Sequence, residues 1–177
     1  MQIEQSPFEN SVTEKEVPFV PDGGFEWLRS TPAHSEWAIG DREYDQLPAQ
    51  LESLVASAKR FEVALPTDFL SFFGDKSLHR HLRSASGDYL RLADNLLPFE
   101  GGFLARFLSD QQECAHWYLF LNSSGSDCCV VSSYEYFDVD EMDYEPDEIS
   151  ANDFQYWTAS FESFFSRYRL EHVVMFA

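Results

Sequence analysis

The sequence has no long hydrophobic run and little positive charge. No stretch approaches the ~18–20 uninterrupted apolar residues of a transmembrane helix, and the start MQIEQSPFEN lacks the basic residues and apolar run of a signal peptide. The 12 Lys and Arg residues are outnumbered by 31 Asp and Glu residues, for a formal net charge of −19. This sign repels phosphate backbones. We therefore expect a cytoplasmic protein that binds neither a membrane nor nucleic acid directly.

Cysteine is also scarce, with three residues at positions 114, 128 and 129 in no spaced metal pattern. Cys128 and Cys129 are adjacent in a predicted strand, so their side chains point to opposite faces. If Leu121 pairs with Cys128 across the turn, Cys114 falls too far along the hairpin to meet either of them. We expect reduced, buried, metal-free cysteines, as in a reducing cytoplasm. The alternative is a zinc site built from Cys114, His116 and Cys128.

Catalytic and metal motifs are absent as well. The sequence contains no GxSxG elbow, no HExxH and no phosphate-binding glycine loop. Cys114 and His116 share one face of a predicted strand, a spacing that is more often coincidence than a catalytic dyad. An EF-hand starting at Asp138 fails because Asp143 and Ile149 stand where the motif needs Gly and Glu. A looser calcium site remains an alternative, and we expect no enzymatic activity and no cofactor.

What the chain has in excess is aromatic residues, which make up 16% of it, including 17 Phe. A length of 177 residues fits one domain with a sizeable core. The first 45 residues contain Pro7, Pro18, Pro21 and a Gly-Gly pair, with few periodic apolar positions. We therefore predict an N-terminal arm or extension over residues 1–45 and a single domain over residues 46–177.

Two helices are predicted at the start of this domain. The first spans Gln46 to Arg60, because apolar residues recur on one helical face at Leu47, Leu51, Leu54, Val55 and Ala58. The second begins at Leu65-Pro66-Thr67-Asp68 and ends at Gly74. It is expected to bury Phe69, Leu70, Phe72 and Phe73. Residues 76–83 then form the only clearly basic segment, with Lys76, His79, Arg80, His81 and Arg83, and a segment of this kind is usually a solvated surface.

Strands follow the basic segment, with a weak signal over residues 88–98 and stronger ones over 103–109, 117–121 and 128–133. The last two form a hairpin through the turn-rich residues 122–127. With Leu121 opposite Cys128, one face carries Trp117, Leu119, Leu121, Cys128 and Val130. The other face carries Tyr118, Phe120, Cys129 and Val131. Because both faces are apolar, we expect central strands that are covered on each side.

The end of the chain reads as a helix. Aromatic residues are spaced near 3.6 residues at Phe154, Trp157, Phe161, Phe164, Phe165 and Tyr168. Thr158 is the predicted N-cap for the part from Ala159 onward, with a break near Trp157. The apolar tail at residues 173–176 is assigned to a final edge strand.

Residues 134–153 contain nine acidic residues and no Lys or Arg, interleaved with aromatic residues. Tyrosine supplies rigid contact area, and carboxylates pair with Arg or Lys across an interface. We interpret this stretch as a partner-binding surface that steers association with a basic protein, the alternative being a solvated loop. The candidate contact residues are Tyr134, Tyr136, Asp138, Asp140, Glu141, Asp143, Tyr144 and Glu145.

The order of these motifs resembles the SUKH superfamily, which includes the yeast cell-wall assembly regulator and many bacterial immunity proteins. The likeness spans roughly Tyr44 to Tyr168. It rests on LPTDF at 65–69, FLSD at 107–110, WYL at 117–119, VV at 130–131 and SFESF at 160–164. These motifs are short, so their order and spacing carry the resemblance. The sequence Gly74-Asp75-Lys76 departs from the Asn-Gly-Gly type turn that often follows the Leu-Pro helix in this family.

The resemblance implies an α+β fold, with helices packed on a mainly antiparallel sheet, in a protein that binds another protein without catalysis. Bacterial members of the family are similar to immunity proteins that occlude toxins, often nucleases. We therefore expect an immunity protein that neutralises a basic toxin domain. The alternative is an acidic adaptor or chaperone-like scaffold for another intracellular client, and an enzyme or small-ligand protein ranks third. The sequence predicts no oligomeric state.

Overall fold

The computed structural model describes residues 19–42, 45–124, 127–140 and 148–176. It is an α+β fold, as predicted. The helices are α1 (Glu26–Arg29), α2 (Leu47–Arg60), α3 (Thr67–Gly74), α4 (Lys76–His79) and α5 (Phe161–Met175). The strands are β1 (Tyr89–Leu90), β2 (Leu97–Phe99), β3 (Gly102–Ser109), β4 (His116–Asn122), β5 (Cys128–Ser133) and β6 (Gln155–Thr158). Among these helices, none is long and apolar enough to cross a membrane.

The six strands form one antiparallel sheet in the order β1-β3-β4-β5-β6, with β2 paired to the opposite end of β3 from β1. The central hairpin is β4–β5, and Leu121 lies opposite Cys128 in it. Both the register and the central position of this hairpin were predicted from the sequence, and both are confirmed.

The sheet has a hydrophobic core on each face. The main core lies between the sheet and the helices, and its sheet residues include Trp117, Leu119, Leu121 and Val130. The second core is smaller and lies on the other face, with Tyr118, Phe120, Cys129 and Val131 among its members. Side chains alternate between the two faces of a strand, so the predicted division of the hairpin into two apolar faces is confirmed.

Helices α2 and α3 begin and end within one or two residues of their predicted positions. In α3, Phe69, Phe72 and Phe73 lie at i, i+3 and i+4, so they share one helical face and enter the main core. Leu70 is turned away from that face and is 37% exposed, so its predicted burial is wrong.

The C-terminal helix begins later than the aromatic spacing predicts. Residues 155–158 form β6, which pairs with β5, and α5 is capped by Ser160 instead of Thr158. The Ser160 hydroxyl accepts the Ser163 N–H at 3.1 Å. Phe154 packs on the second core and Trp157 against the main core, because residues three apart point to opposite sides of an extended chain. The tail is not an edge strand, since α5 continues to Met175.

The main core also extends further towards the N-terminus than the predicted boundary at residue 46. Phe25 and Ile39 are fully buried in it. The buried carboxylate of Glu162 in α5 accepts hydrogen bonds from the Gly23 N–H, the Phe25 N–H and the Trp27 indole, at 2.7, 3.3 and 2.9 Å. The segment from 23 to 39 is therefore part of the domain, while residues 1–18 lie outside the described part of the chain.

Both edges of the sheet are short or irregular. On one side β6 has four residues, and its pairing with β5 shifts register between Val130 and Val131. On the other side β1 has two residues, and β2 has three with Pro98 in the middle. Proline has no N–H to donate to a neighbouring strand.

Candidate partner-binding surface

The second core is covered by irregular chain. Phe137 and Ile149 are buried in this core, and Phe154 packs against its edge. The segments 134–140 and 148–153, which carry Phe137 and Ile149, are called the acidic cover here. They belong to the stretch that the sequence analysis selected as a partner-binding surface.

A buried tyrosine ties the acidic cover to the middle of the sheet. The Tyr118 hydroxyl on β4 donates a hydrogen bond to the Glu135 carbonyl at 3.2 Å. The same hydroxyl accepts the N–H of Phe137 at 2.9 Å. Backbone on either side of Tyr136 is therefore fixed to a central strand.

A buried ion pair provides a second anchor. Arg106 on β3 places Nη2 at 3.1 Å from Oδ2 of Asp138, and their side chains are only 3% and 9% exposed. The Arg106 guanidinium also lies over the Tyr136 ring, with Cζ at 4.3 Å from the ring centroid. Asp138 was expected to lie on the surface, and this expectation is wrong because its charge is used to neutralise a buried arginine.

Outside these anchors, the acidic cover presents unneutralised charge and an aromatic side chain to solvent. Tyr134 is 82% exposed. The exposed carboxylates are those of Glu135, Asp140, Glu148 and Asp153. None of them forms an ion pair with a cationic side chain in the described part of the chain. The surface can therefore offer its charge to a partner without first breaking an internal pair.

The candidate contact residues thus have different positions. Tyr134 and Asp140 are exposed, Tyr136 is half-buried and Asp138 is buried. Glu141, Asp143, Tyr144 and Glu145 lie outside the described residues. Sequence reasoning left out Glu135, Glu148 and Asp153 as contact residues, although their place within the nine-acid stretch was a signal that could have included them.

The cysteines do not assemble into the zinc set considered above. Cys114 is exposed, Cys128 half-buried and Cys129 buried, and all three are free thiols. The predicted burial of Cys114 is wrong, because it lies in the turn between β3 and β4, where its N–H is bound by Asp110 at 2.6 Å. His116 and Cys128 are at opposite ends of the hairpin, about 17 Å apart along the strands. Burial raises the pKa of Cys128 to about 11.

His116 has both ring nitrogens engaged in hydrogen bonds. Nε2 lies 3.1 Å from the Glu113 carbonyl and Nδ1 lies 2.9 Å from the Ser109 hydroxyl. Because a carbonyl only accepts, Nε2 carries a hydrogen, and in the neutral ring Nδ1 accepts from Ser109. Burial, followed by the nearby Arg106, lowers the pKa of His116. The ring therefore has no free lone pair for Cys114. Across the described ranges, no group of three or more His, Cys, Asp or Glu residues is placed to hold a metal ion.

Comparison with known proteins does not identify this chain. No family model, no curated protein and no solved structure matches it. The resemblance to the SUKH superfamily therefore stays a prediction, and the surface has to be interpreted from its own geometry and charge.

Proposed function

We propose that this chain is a protein-binding module that uses its acidic cover to bind a basic protein. The observation that carries the proposal is that the acidic cover exposes Tyr134 and four carboxylates, none of which pairs with a cationic side chain among the described residues. Tyrosine in the centre of an interface often contributes much of the binding energy, and surrounding charge sets the association rate and partner choice.

The anchors of the acidic cover support this proposal. Tyr118 on β4 and Arg106 on β3 hold residues 135–138 of this surface on the central strands. A surface that is ordered before binding loses less conformational entropy when a partner arrives, so more of its contact energy appears as affinity. Exposed side chains on a fixed backbone are the arrangement that this requires.

In its specific form, the proposal is an immunity protein that occludes a basic toxin domain. The resemblance to the SUKH superfamily supports it, and so does the net charge of −19, which attracts a cationic partner over a distance of about one Debye length. Neutralisation by occlusion needs no catalytic group. The same surface also fits a basic client that is not a toxin, as an adaptor or chaperone-like scaffold would bind.

The test is coexpression with the product of a neighbouring toxin gene, paired with binding kinetics at two salt concentrations. The variant Glu135→Lys/Asp140→Lys/Glu148→Lys reverses three exposed charges and leaves the buried Asp138 in place. We expect it to lower the association rate at least tenfold at low salt, with a smaller effect at high salt. Cell survival in the presence of the toxin should fall in parallel.

A matched control separates the surface from overall charge. The variant Glu36→Lys/Asp41→Lys/Glu52→Lys reverses three exposed acids elsewhere, and each triple variant changes the formal net charge from −19 to −13. If both variants slowed association equally, the acidic cover would not be part of the interface. Binding without protection would favour the adaptor, and the absence of both would overturn the immunity role.

A further inference from the structure

A cavity with basic walls lies away from the acidic cover. It has a volume of about 260 Å³ and is formed by the chain after α1, the segment after α4 and the end of α5. We call it the basic pocket, and its lining residues are Pro32, His34, His81, Arg83, Arg169, His172, Val173 and Phe176. The basic segment at 76–83 was interpreted as a solvated surface, which fits the exposed Lys76 and Arg80 but not His81 and Arg83.

Each of the two arginines of the basic pocket has a buried donor without an acceptor among the described residues. The Nε atoms of Arg83 and Arg169 are buried and have no hydrogen-bond partner. Neither guanidinium forms an ion pair within the described residues, although the chain has 31 acidic residues and only 12 Lys and Arg. A buried donor without an acceptor is costly. An anion that supplied acceptors at this point would therefore be bound favourably.

Two histidines, His34 and His81, also line this cavity. The ring of His34 has no hydrogen bond to the described residues, and its pKa is lowered by burial and by Arg83, Arg169 and His81. His81 donates from Nδ1 to the Thr31 carbonyl at 2.8 Å, because a carbonyl can only accept.

The third histidine closes the back of the cavity. His172 accepts the Ala85 N–H on Nδ1 at 2.9 Å, and its Nε2 lies 3.5 Å from Oδ2 of Asp88. Asp88 is buried and is held by the hydroxyls of Tyr168 and Ser84, at 2.7 and 2.9 Å. Both nitrogens of His172 are therefore directed at protein groups, and Asp88 does not line the cavity.

The remaining wall of the basic pocket is apolar. The Arg83 guanidinium stacks on Phe176, with Cζ at 3.7 Å from the ring centroid, which restrains the orientation of its planar donor fork. Val173 and Pro32 continue this wall. The cavity therefore combines an arginine-rich end with an apolar side, and its volume is near the lower limit for small-molecule sites.

We propose that the basic pocket binds a small phosphate monoester. The phosphate accepts hydrogen bonds from Arg83 and Arg169, and the organic part lies against Phe176. Two guanidiniums match the oxygens of a phosphate by bidentate hydrogen bonds. The apolar wall distinguishes an ester from inorganic phosphate, which would leave that wall uncovered.

Calorimetric titration of the full chain with phenyl phosphate, inorganic phosphate and sulfate tests this site. We expect one saturable site per chain for phenyl phosphate, with weaker binding of the two inorganic ions. The variants Arg83→Met and Arg169→Met should each weaken phenyl phosphate binding roughly tenfold to a hundredfold, as expected for a lost charge-assisted hydrogen bond. Arg83→Lys keeps the charge without the planar fork and should give an intermediate loss.

Arg60→Met is the matched control, because Arg60 is exposed near the end of α2 and does not line the basic pocket. It removes the same charge and should leave the affinity unchanged. Thermal unfolding without probe checks that every variant folds, and the probe should raise the midpoint of the wild type and of Arg60→Met more than that of Arg83→Met or Arg169→Met. Equal weakening by Arg60→Met, or no saturation of the wild type at millimolar phenyl phosphate, would overturn the proposal. The charge-reversed variant Glu135→Lys/Asp140→Lys/Glu148→Lys should still bind phenyl phosphate, because none of its changed residues lines the basic pocket. The proposed site and the proposed function can therefore fail independently of each other.

Discussion

The buried pair of Arg106 and Asp138 makes a prediction that separates anchoring from recognition. Replacing Asp138 by Asn keeps the shape of the side chain and removes the charge that neutralises Arg106. Arg106 then remains 3% exposed, and two of its three nitrogens, Nε and Nη1, already lack partners. Breaking a buried ion pair from one side typically costs 3–5 kcal/mol. Since Asn can still accept one hydrogen bond, we expect a loss of about 3 kcal/mol in the free energy of unfolding.

For a chain of this length, such a loss lowers the thermal midpoint by about 6–12 °C. Arg106→Met should cost less, because Asp138 is nearer to solvent and its Oδ1 still accepts the Asp140 N–H at 3.1 Å. The double variant Arg106→Met/Asp138→Asn removes both charges. It should recover most of the stability, because an apolar pair of similar volume often replaces a buried ion pair without loss.

Urea unfolding of the wild type, both single variants and the double variant measures this coupling. We expect the double variant to be at least about 2 kcal/mol more stable than the sum of the single losses predicts. The coupling should persist at high salt, because a buried pair is screened little. If the two single losses simply added, the ion pair would not be what holds the acidic cover to β3.

Three further predictions concern other contacts. Gly102→Ala should cost about 3 kcal/mol in urea unfolding, because its Cβ would clash with the Leu121 carbonyl oxygen on the neighbouring strand; Gly74→Ala meets nothing within 4 Å and should cost far less. Glu162→Gln should lower the thermal midpoint by about 4–8 °C, because it weakens the three hydrogen bonds to residues 23–27, and a change below 1 °C would contradict that role. Burial lowers the pKa of His79 from 6.5 to about 4, so the stability it contributes is complete above pH 6.5 and declines by up to about 3 kcal/mol as the pH falls to 4. In His79→Gln, the urea midpoint should depend less on pH between pH 4 and 6.5. If its slope were unchanged, the pH dependence would come from other groups.

The central hairpin could be predicted because its information is local. Trp117 and Leu121 lie on one face and Tyr118 and Phe120 on the other, so any slip by one residue would exchange two apolar faces and lose the turn at residues 122–127. Helix α2 was predictable for a similar reason, since its apolar face repeats over four turns. Patterns of this kind depend on neighbours within a few residues.

Strand β6 could not be predicted in this way. Its four residues are extended because β5 offers them hydrogen-bond partners, and Val130 pairs with Thr158 across 28 residues of chain. The aromatic residues at 154, 157 and 161 imitate a helical period, although they pack on different sides of the sheet. When a short strand has aromatic residues at helical spacing by chance, nothing else in its local sequence indicates that it is a strand.

The candidate surface shows the same limit. Asp138 and Asp140 are indistinguishable from their surroundings in the sequence, and only Arg106, 32 residues before Asp138, makes the first buried and leaves the second exposed. The basic pocket was visible in part, as His81 and Arg83 in a basic segment. Its other arginine, Arg169, comes from α5, and no spacing rule connects positions so far apart in the chain.

The irregular edges of the sheet limit how this protein can associate. A long, regular edge strand exposes a row of amide and carbonyl groups on which another chain can add a strand, and such edges promote fibrils and domain swapping. Here Pro98 interrupts one edge, and a register shift distorts the pairing of the four-residue strand β6 at the other. A partner that added a strand would find few donors and acceptors in phase. Selectivity for a partner must then come from side chains on a fixed surface, and a highly concentrated solution of the protein should resist cross-β polymerisation.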